Sequence, residues 1–480
     1  MIRNPYVVAG SLCGGLALSV LLRAALVPAV VLVVATLVLR PPLLLAAFLL
    51  VGGWWWGSVR VQALDRSVLA PRAGTAERAL VETLEPARTT RYAVRVRALV
   101  LRWGELRPHE PVLLELPLGR APPQGSRLRV LGTLRRPSDA ERGWLRLHGV
   151  HVVLRAGTSH VVGSRGSVAD RLHAWLARAS VPGLPGERRA VLEGVVLGED
   201  QGLTETLRDR FRASGLYHLL AVSGGNVIVV AGGASVVAFA LGAGRLLAES
   251  CALLAIVAYV LAVGPQPSVI RAGIAGGLGC LAWLTGRERD RVHALLVGAV
   301  VLLAWSPLNV LDPGFQLSFA AVAAIFVLAP RLDRWLEGYP LPKRAREATA
   351  LSTACGLCTA PISWAHFHQI PLLTVPANVA AAPVVAPMLA LALLAAVLPP
   401  LGPALAQANG LLAAYLAGCA RVFGGLPGAQ VRSATGAAAL ASGALLVAAY
   451  AWPRGERAEA GLPPDGKRPA EDRARGAPAA

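Results

Sequence analysis

The sequence predicts a polytopic α-helical membrane protein of about 12 spans, with a β-barrel domain inserted after the first spans. Two observations lead to this fold class. Hydrophobic residues make up 55% of the 480-residue chain, more than is usual for a soluble globular protein of this length. One long polar stretch, residues 60–178, separates a short set of apolar runs from a longer one. The apolar runs therefore predict membrane spans, and the polar stretch predicts a separate domain.

The chain is strongly basic. It contains 47 Lys and Arg against 28 Asp and Glu, a net charge of +19, and only Lys343 and Lys467 are lysine. Residues 60–178 hold 21 Arg and 10 acidic residues, so more than half of the net charge lies in the polar stretch. Such a balance favours polyanions, either nucleic acid or anionic lipid. A GC-rich genome also enriches arginine, so charge alone does not identify the partner.

The N-terminal segment, residues 1–58, is predicted to be transmembrane. It contains apolar runs at 6–22, 24–39 and 43–57, each near the shortest length that crosses a hydrocarbon core of roughly 30 Å. Three consecutive tryptophans at 54–56 indicate an interface, because amphipathic aromatic rings lie at the level of the lipid headgroups. Two or three spans are expected here.

Residues 59–166 are predicted to form a β domain outside the cytoplasm. Residues 92–102 and 126–135 alternate apolar and basic side chains with a period of two, and 112–116 and 150–155 are typical of shorter strands. Short strands avoid exposed edges when the sheet closes on itself, which favours a small OB-like barrel.

The basic strands of this domain suggest a contact with DNA. Arginines would bind phosphates and a tryptophan would stack on bases. The candidates are Arg95, Arg97, Trp103, Arg127, Arg129 and Trp144. The alternative is a basic barrel whose arginines are solvated or lie against anionic lipid.

Residues 167–218 are predicted to be an amphipathic helical connector. Glu199 and Asp200 lie in the turn that ends one helix, and Thr204 is a candidate N-cap for a second helix that continues through Arg212. From residue 219 the sequence is almost wholly apolar and is interrupted only by small polar residues at 223–226. Such residues inside a span should face another helix, a water-filled path or a kink.

Three motifs in the second half resemble those of a known family. They are S-G-L-Y-H-L-L-A-V-S-G-G-N-V at 214–227, P-Q-P-S-V-I-R-A-G-I-A-G at 265–276 and L-D-P-G-F-Q-L-S-F-A-A-V-A-A-I at 311–325. In this order they resemble the ComEC family, the polytopic channel proteins of natural DNA transformation. The resemblance implies a channel domain at 219–452 and a barrel between the first spans and that domain. Many members end in a metallo-β-lactamase-like domain, and this chain is expected to be a form that lacks it, with a disordered tail at 453–480.

Nine apolar runs follow the connector: 219–242, 246–263, 267–285, 292–305, 310–328, 348–365, 372–398, 404–423 and 435–452. Together with the N-terminal runs they give about 12 spans, or 13 if Pro383 and Pro387 break the run at 372–398. The basic connections at 286–291 and 331–347 are two spans apart, so both are predicted to be cytoplasmic and the barrel external. The expected location is the cell (cytoplasmic) membrane, as a multi-pass protein.

None of the nine histidines lies in an H-x-H-x-D-H or H-E-x-x-H arrangement. We therefore expect no catalytic residues, no metal site, no cofactor and no enzymatic activity. The candidates for lining a polar pathway are His218, Ser223, Asn226, Arg271, Asp312, Gln316 and Asn378.

Arg271 is the most informative of these residues. A cation inside an apolar run should face a cavity or a partner, and Asp312 on the next motif is a candidate partner. The alternative is that Arg271 snorkels to the nearby outer surface.

Together these features and the resemblance predict an inner-membrane channel that translocates single-stranded DNA into the cytoplasm during natural transformation. The alternative is a secondary transporter of a smaller anionic solute or lipid, with Arg271 as its substrate-binding cation. The expected partners are single-stranded DNA, membrane lipid, a separate nuclease, a DNA receptor and a cytoplasmic ATP-driven motor, because the chain has no Walker-type glycine-rich loop. The oligomeric state does not follow from the sequence.

Overall fold

The computed structural model describes residues 5–22, residue 442, and residues 41–440 except 91, 120, 265, 286–289 and 341. The chain divides into two units, Met1–Val431 and Arg432–Ala480. The barrel and all the helices described below lie in the first unit. The predicted run at 24–39, most of the run at 435–452 and the predicted disordered tail at 453–480 lie outside the described residues.

Two helices form the described N-terminal part, α1 (Pro5–Leu21) and α2 (Pro41–Asp65). They approach closely because small residues lie where they cross. A Cβ added at Gly15 would lie 1.9 Å from the carbonyl oxygen of Leu50, so only glycine fits there. The indole Nε1 of Trp54 donates a hydrogen bond to the carbonyl of Leu22 at 2.7 Å. α2 continues past the tryptophans and carries the chain directly to the barrel.

Six strands follow: β1 (Ala76–Thr83), β2 (Arg88–Thr89), β3 (Val94–Trp103), β4 (Glu110–Leu116), β5 (Ser126–Arg135) and β6 (Val153–Ser164). Five of them close into a barrel in the cyclic order β1-β3-β4-β6-β5, since β1 pairs with both β5 and β3. The pairing of β4 with β6 is parallel and the others are antiparallel. This is a Greek-key connectivity of the OB type, so the predicted closed barrel is confirmed.

The alternating pattern of β3 determines which side chains fill the barrel. Val94, Val96, Ala98 and Val100 are buried, whereas the arginines between them lie on the outside. A short helix, α3 (Asp139–Leu147), connects β5 to β6, and it begins at a capping box formed by Ser138 and Glu141.

The connector folds into three helices, α4 (Val168–Ala179), α5 (Gly186–Leu197) and α6 (Glu205–Ala213). The predicted cap of α6 is confirmed, because the Thr204 hydroxyl accepts a hydrogen bond from the Leu207 amide at 3.3 Å. Glu199 and Asp200, which we call the acidic turn, lie between α5 and α6, as predicted.

Nine further helices are described in the first unit: α7 (Gly224–Ala240), α8 (Arg245–Val263), α9 (Pro267–Leu284), α10 (Arg291–Trp305), α11 (Pro313–Val327), α12 (Ala329–Trp335), α13 (Lys343–Phe367), α14 (Thr374–Val397) and α15 (Gly402–Gly425). Two short strands, β7 (Ile370–Pro371) and β8 (Gln430–Val431), pair antiparallel. α14 is continuous through Pro383 and Pro387, so the alternative in which these prolines split the run is wrong.

By length and composition, four of the described helical segments can cross a membrane: Tyr217–Ala240, Arg245–Val263, Pro267–Leu284 and Thr374–Val397. A fifth span results if α11 and α12, which are bent by 43°, act together. α1 and α10 are apolar but have only 17 and 15 residues. At about 1.5 Å per residue, such helices are shorter than a core of roughly 30 Å. Membrane character is therefore supported, but the predicted count of about 12 spans is not confirmed.

Candidate functional site

The polar residues of the first motif lie at the start of a helix rather than inside one. Ser223 occupies the N-cap position of α7, and Asn226 is buried in the first turn. The Asn226 amide nitrogen donates to the carbonyl of Val195 at 2.8 Å, and the Tyr259 hydroxyl donates to the carbonyl of Val196 at 2.7 Å. These bonds connect α7 and α8 to the end of α5. The polar residues therefore interrupt the candidate span Tyr217–Ala240 at the start of α7, and Asn226 faces neighbouring helices, which is one of the expected arrangements.

His218 precedes α7 in a short 3₁₀ turn, Tyr217–Leu219. Its side chain is exposed, and its Nδ1 forms a hydrogen bond with the carbonyl of Gly215 at 2.8 Å. The neighbouring Tyr217 has a contact that the sequence did not predict, because its hydroxyl donates to the Asp200 carboxylate at 2.8 Å. The motif therefore contacts the acidic turn through Tyr217, not through His218.

Arg271 lies half-buried in the second turn of α9, and its Nε donates to the Ser318 hydroxyl of α11 at 2.8 Å. Its guanidinium carbon lies 5.9 Å from the centre of the Phe319 ring. The terminal nitrogens of Arg271 have no hydrogen-bond or ion-pair partner among the described residues. The Nε side of the guanidinium is therefore held by α11, and its two terminal nitrogens are available to bind an anion.

The expected pair between Arg271 and Asp312 is not formed. The Asp312 carboxylate instead caps α11 by accepting a hydrogen bond from the Phe315 amide at 2.9 Å. An aspartate directly before a helix satisfies backbone donors that would otherwise lack a partner, and here this local bond occupies the carboxylate.

The remaining pathway candidates lie in other contacts. The Gln316 amide nitrogen donates to the carbonyl of Val310 at 2.8 Å, and its oxygen is hydrogen-bonded to Nε2 of His366 at 2.9 Å. This contact links α11 to α13 and was not predicted for His366. Asn378, on α14, has a buried Oδ1 with no hydrogen-bond partner in the described part of the chain. The Ser223 hydroxyl donates a hydrogen bond to Oδ1 of Asn226 at 3.2 Å. No hydrogen-bond network among the described residues connects all the candidates.

Of the two tryptophans proposed for base stacking, one is unsuitable. Trp103 is only 2% exposed and belongs to the barrel core, because the pairing of β3 with β1 shifts register between Leu80 and Val81 and turns this out-of-phase residue inward. A base could reach its ring only if the barrel opened. Trp144, on α3, is 51% exposed and lies 4.3 Å from the His148 ring, so it remains accessible.

Three of the four candidate arginines are already paired with carboxylates. Arg95 lies 2.7 Å from Glu115, Arg97 lies 3.5 Å from Glu85, and Arg127 lies 3.0 Å from Glu82. These partners partly neutralise the charge that a phosphate would meet. Arg129 differs, since its side chain is exposed and has no ion-pair partner among the described residues.

Arg129 belongs to a larger set on the outer side of β1, β5 and β6. Arg78 lies opposite Leu131, Arg155 lies opposite Thr133, and Arg129 lies opposite His160. All three arginines are exposed and lack an ion pair within the described ranges. We call Arg78, Arg129 and Arg155 the basic face. Arg78 and Arg155 were not among the residues predicted from the sequence. The alternating arginines of β5 did indicate that one side of this strand is basic, and Arg78 and Arg155 lie on the two strands that pair with it.

The first helix of the connector joins the barrel to the apolar helices. Arg165 forms a two-pronged contact with Asp170, and the Ser167 hydroxyl donates to the same carboxylate at 2.7 Å. Although burial acts in the opposite direction, the contacts with Arg165 and Ser167 lower the pKa of Asp170 to about 2. Asp170 therefore stays ionised near neutral pH and fixes the start of α4 against the barrel.

One turn further along α4, His173 contacts two acceptors. Its Nδ1 forms a hydrogen bond with the carbonyl of Ala262 at 2.9 Å, and its Nε2 lies 3.0 Å from the Glu199 carboxylate. Burial is the largest single effect and opposes the charged ring, but the hydrogen bond with Glu199, its negative charge and the Ala262 carbonyl together raise the pKa of His173. The protonated ring has a partner for each N–H, so it connects α4 to the acidic turn and to the end of α8.

In the described part of the chain, no group of three or more His, Cys, Asp or Glu residues is placed to hold a metal ion. The described residues can bind anions through arginine side chains, on the basic face and at Arg271.

Comparisons with known proteins agree with the motifs. A family model described as Competence protein matches residues 195–456. ComE operon protein 3 of Bacillus subtilis (strain 168) is 28% identical over 200 residues, which cover 42% of this chain and 25% of that protein. Competence protein ComA of Neisseria gonorrhoeae is 31% identical over 305 residues, which cover 60% of this chain and 42% of that protein. The chain thus spans from a quarter to about two fifths of the length of these curated relatives. No solved structure matches it.

Proposed function

We propose that this chain, which belongs to the competence protein family, is a multi-pass channel of the cytoplasmic membrane that passes single-stranded DNA into the cytoplasm during natural transformation. Family membership and the names of the relatives support a role in DNA uptake. The apolar helices support a place in the membrane. The external barrel, in this proposal, is the surface that receives the strand.

Arg271 is the observation on which the channel proposal rests. A cation within an apolar helix is costly unless a partner or water compensates it, and such residues mark the paths of ions and substrates. Ser318 supplies only a neutral hydroxyl to Nε, so two guanidinium nitrogens remain for an anion. A planar guanidinium can bind two phosphate oxygens at once. Arg271 would thus contact the phosphates of the passing strand.

The basic face supports the receiving role of the barrel. Arginines that no carboxylate neutralises attract a phosphate backbone and release its counterions on binding. Arg129, Arg78 and Arg155 meet this condition among the described residues, whereas Arg95, Arg97 and Arg127 face glutamates. Trp144 has an exposed ring that can stack on a base. In this proposal, a separate nuclease, a DNA receptor and a cytoplasmic ATP-driven motor complete the uptake system.

Arg271 would equally suit a transporter of a smaller anionic solute or lipid, which is the alternative function. A deletion strain separates the two proposals. Transformation by added DNA should be lost on deletion and restored by the wild-type gene, but not by a gene encoding Arg271→Gln at equal protein abundance. Normal transformation of the deletion strain would refute the DNA channel and leave the transporter.

A further inference from the structure

We propose that α4 is an interfacial helix whose outer face binds the phosphate headgroups of an anionic membrane. The α4 outer face consists of Val168, Arg171, Trp175 and Arg178. This inference depends on the membrane location of the chain and not on the nature of the transported substrate.

The inner side of α4 is fully engaged with the protein. Asp170, His173 and Leu176 are buried and recur every three residues on one side of the helix. Asp170 is bound by Arg165 at the end of the barrel, and His173 is hydrogen-bonded to Ala262 near the end of α8. α4 is therefore held at the junction of the barrel and the apolar helices, and its rotation about its own axis is fixed.

The α4 outer face points away from these contacts. Its four residues follow the spacing of three and four that places side chains on one side of a helix. Val168 is 56% exposed and Trp175 is 45% exposed. Arg171 and Arg178 lie one turn on either side of Trp175, are exposed, and have no side-chain partner among the described residues. The α4 outer face therefore presents one exposed aromatic ring between two arginines that no described carboxylate neutralises.

The position of α4 identifies this partner as lipid. Ala262 lies in the last turn of the candidate span Arg245–Val263, so His173 holds α4 at the level where that span ends. Leu261, beside it, is apolar and 43% exposed, so the side of α8 that suits lipid extends to this level. Tryptophan is enriched at this depth because its ring is amphipathic, and arginines there reach the headgroup phosphates. An apolar residue with tryptophan and arginine on one helix face is typical of helices that lie in the interface.

The test uses the full chain in nanodiscs of phosphatidylcholine alone or of an equimolar mixture with phosphatidylglycerol. The contribution of Trp175 to fluorescence is the difference between the wild type and Trp175→Phe, which is conservative at an exposed position. We expect phosphatidylglycerol with bromine near the headgroup to quench this contribution more strongly than the same lipid with bromine near the chain end. Quenching that is absent, or stronger from the chain end, would overturn the interfacial assignment.

The double variant Arg171→Gln/Arg178→Gln tests the role of charge. It should lower the quenching by brominated phosphatidylglycerol and leave quenching by brominated phosphatidylcholine unchanged. The matched control is Arg129→Gln/Arg155→Gln, which removes the same charge from the barrel and should change neither. Equal effects of the two double variants would refute specific headgroup contacts. Quenching of Trp175 by an added thymidine oligonucleotide, without quenching by brominated lipid, would assign this face to nucleic acid and overturn the proposal.

Discussion

Arg88, on the short strand β2, forms an ion pair with Asp200 in the acidic turn. The same carboxylate lies 3.0 Å from Nε of Arg208 on α6 and accepts the hydrogen bond from Tyr217. Only 9% of the Asp200 side chain is exposed. One buried carboxylate therefore joins the barrel, the connector and the first motif of the channel domain.

Replacement of Asp200 by Asn should destabilise the protein strongly. The change keeps the shape but leaves Arg208, whose side chain is 11% exposed, without its counter-charge. Breaking a buried pair in this way costs on the order of 3 to 5 kcal/mol. Thermal unfolding of the purified chain measures the effect. The control is Asp209→Asn, because Asp209 is 63% exposed beside Arg212 and such pairs contribute about 1 kcal/mol or less. Equal losses in the two variants would contradict the role of Asp200.

The basic face should determine how the binding of single-stranded DNA depends on salt. Each lost phosphate contact lowers the slope of log affinity against log salt by about 0.7 for a single strand. The triple variant Arg78→Gln/Arg129→Gln/Arg155→Gln should therefore bind more weakly and with a smaller slope. The control triple, Arg95→Gln/Arg97→Gln/Arg127→Gln, removes the same charge from arginines that face glutamates. If both triples weaken binding equally, the basic face is not a distinct contact.

Arg271 should affect transport without affecting the amount of protein. No carboxylate among the described residues pairs with it, so Arg271→Gln leaves no buried anion and membrane abundance should hold while transformation falls. Arg271→Lys keeps the charge but loses the planar guanidinium and should also transform poorly. Asp312→Asn should cost only part of a helix cap, at most about 2 kcal/mol. Low abundance of Arg271→Gln that Asp312→Asn restores would show that the two residues pair after all.

His173 should make the docking of α4 dependent on pH. Its folded pKa is raised above the ordinary value of 6.5, so the protonated ring stabilises the folded state fully below about pH 6.5. The contribution is lost as pH rises through the folded pKa. The difference in melting temperature between the wild type and His173→Gln should thus be largest in mild acid and shrink in alkali. Asp170 stays ionised over this range, since its pKa is about 2. A difference independent of pH would contradict this assignment.

The barrel was largely predictable because β3 and β5 alternate cleanly between apolar and basic residues. β1 was not recognised, since A-E-R-A-L-V-E-T shows no clear period of two. Its identity follows from pairing with two other strands, which is a tertiary property. The error for Trp103 has a related cause. Alternation along β3 predicts an outward side chain at Trp103, but the irregular pairing with β1 between Leu80 and Val81 turns the ring inward.

The candidate site was less predictable than the fold. The motifs located Arg271 and Asp312, but order along the chain does not determine which side chains meet in space. The Asp312 carboxylate accepts a hydrogen bond from the nearby Phe315 amide instead of pairing with Arg271. Arg271 donates to the Ser318 hydroxyl, where a carboxylate had been expected. The contact between Arg88 and Asp200 joins residues 112 positions apart, and no short-range pattern could indicate it.

The pairing of β1 with β3 closes the barrel and thereby limits how two copies of this domain could associate. Over residues 79–82, β1 pairs with β3 on one side and with β5 on the other, so this part of the strand offers no unpaired backbone edge to which a neighbouring strand could add. Exchange of β1 between copies would first require the β1–β3 seam to open and its hydrogen bonds to break. Association of two copies at this part of the barrel must therefore use side chains.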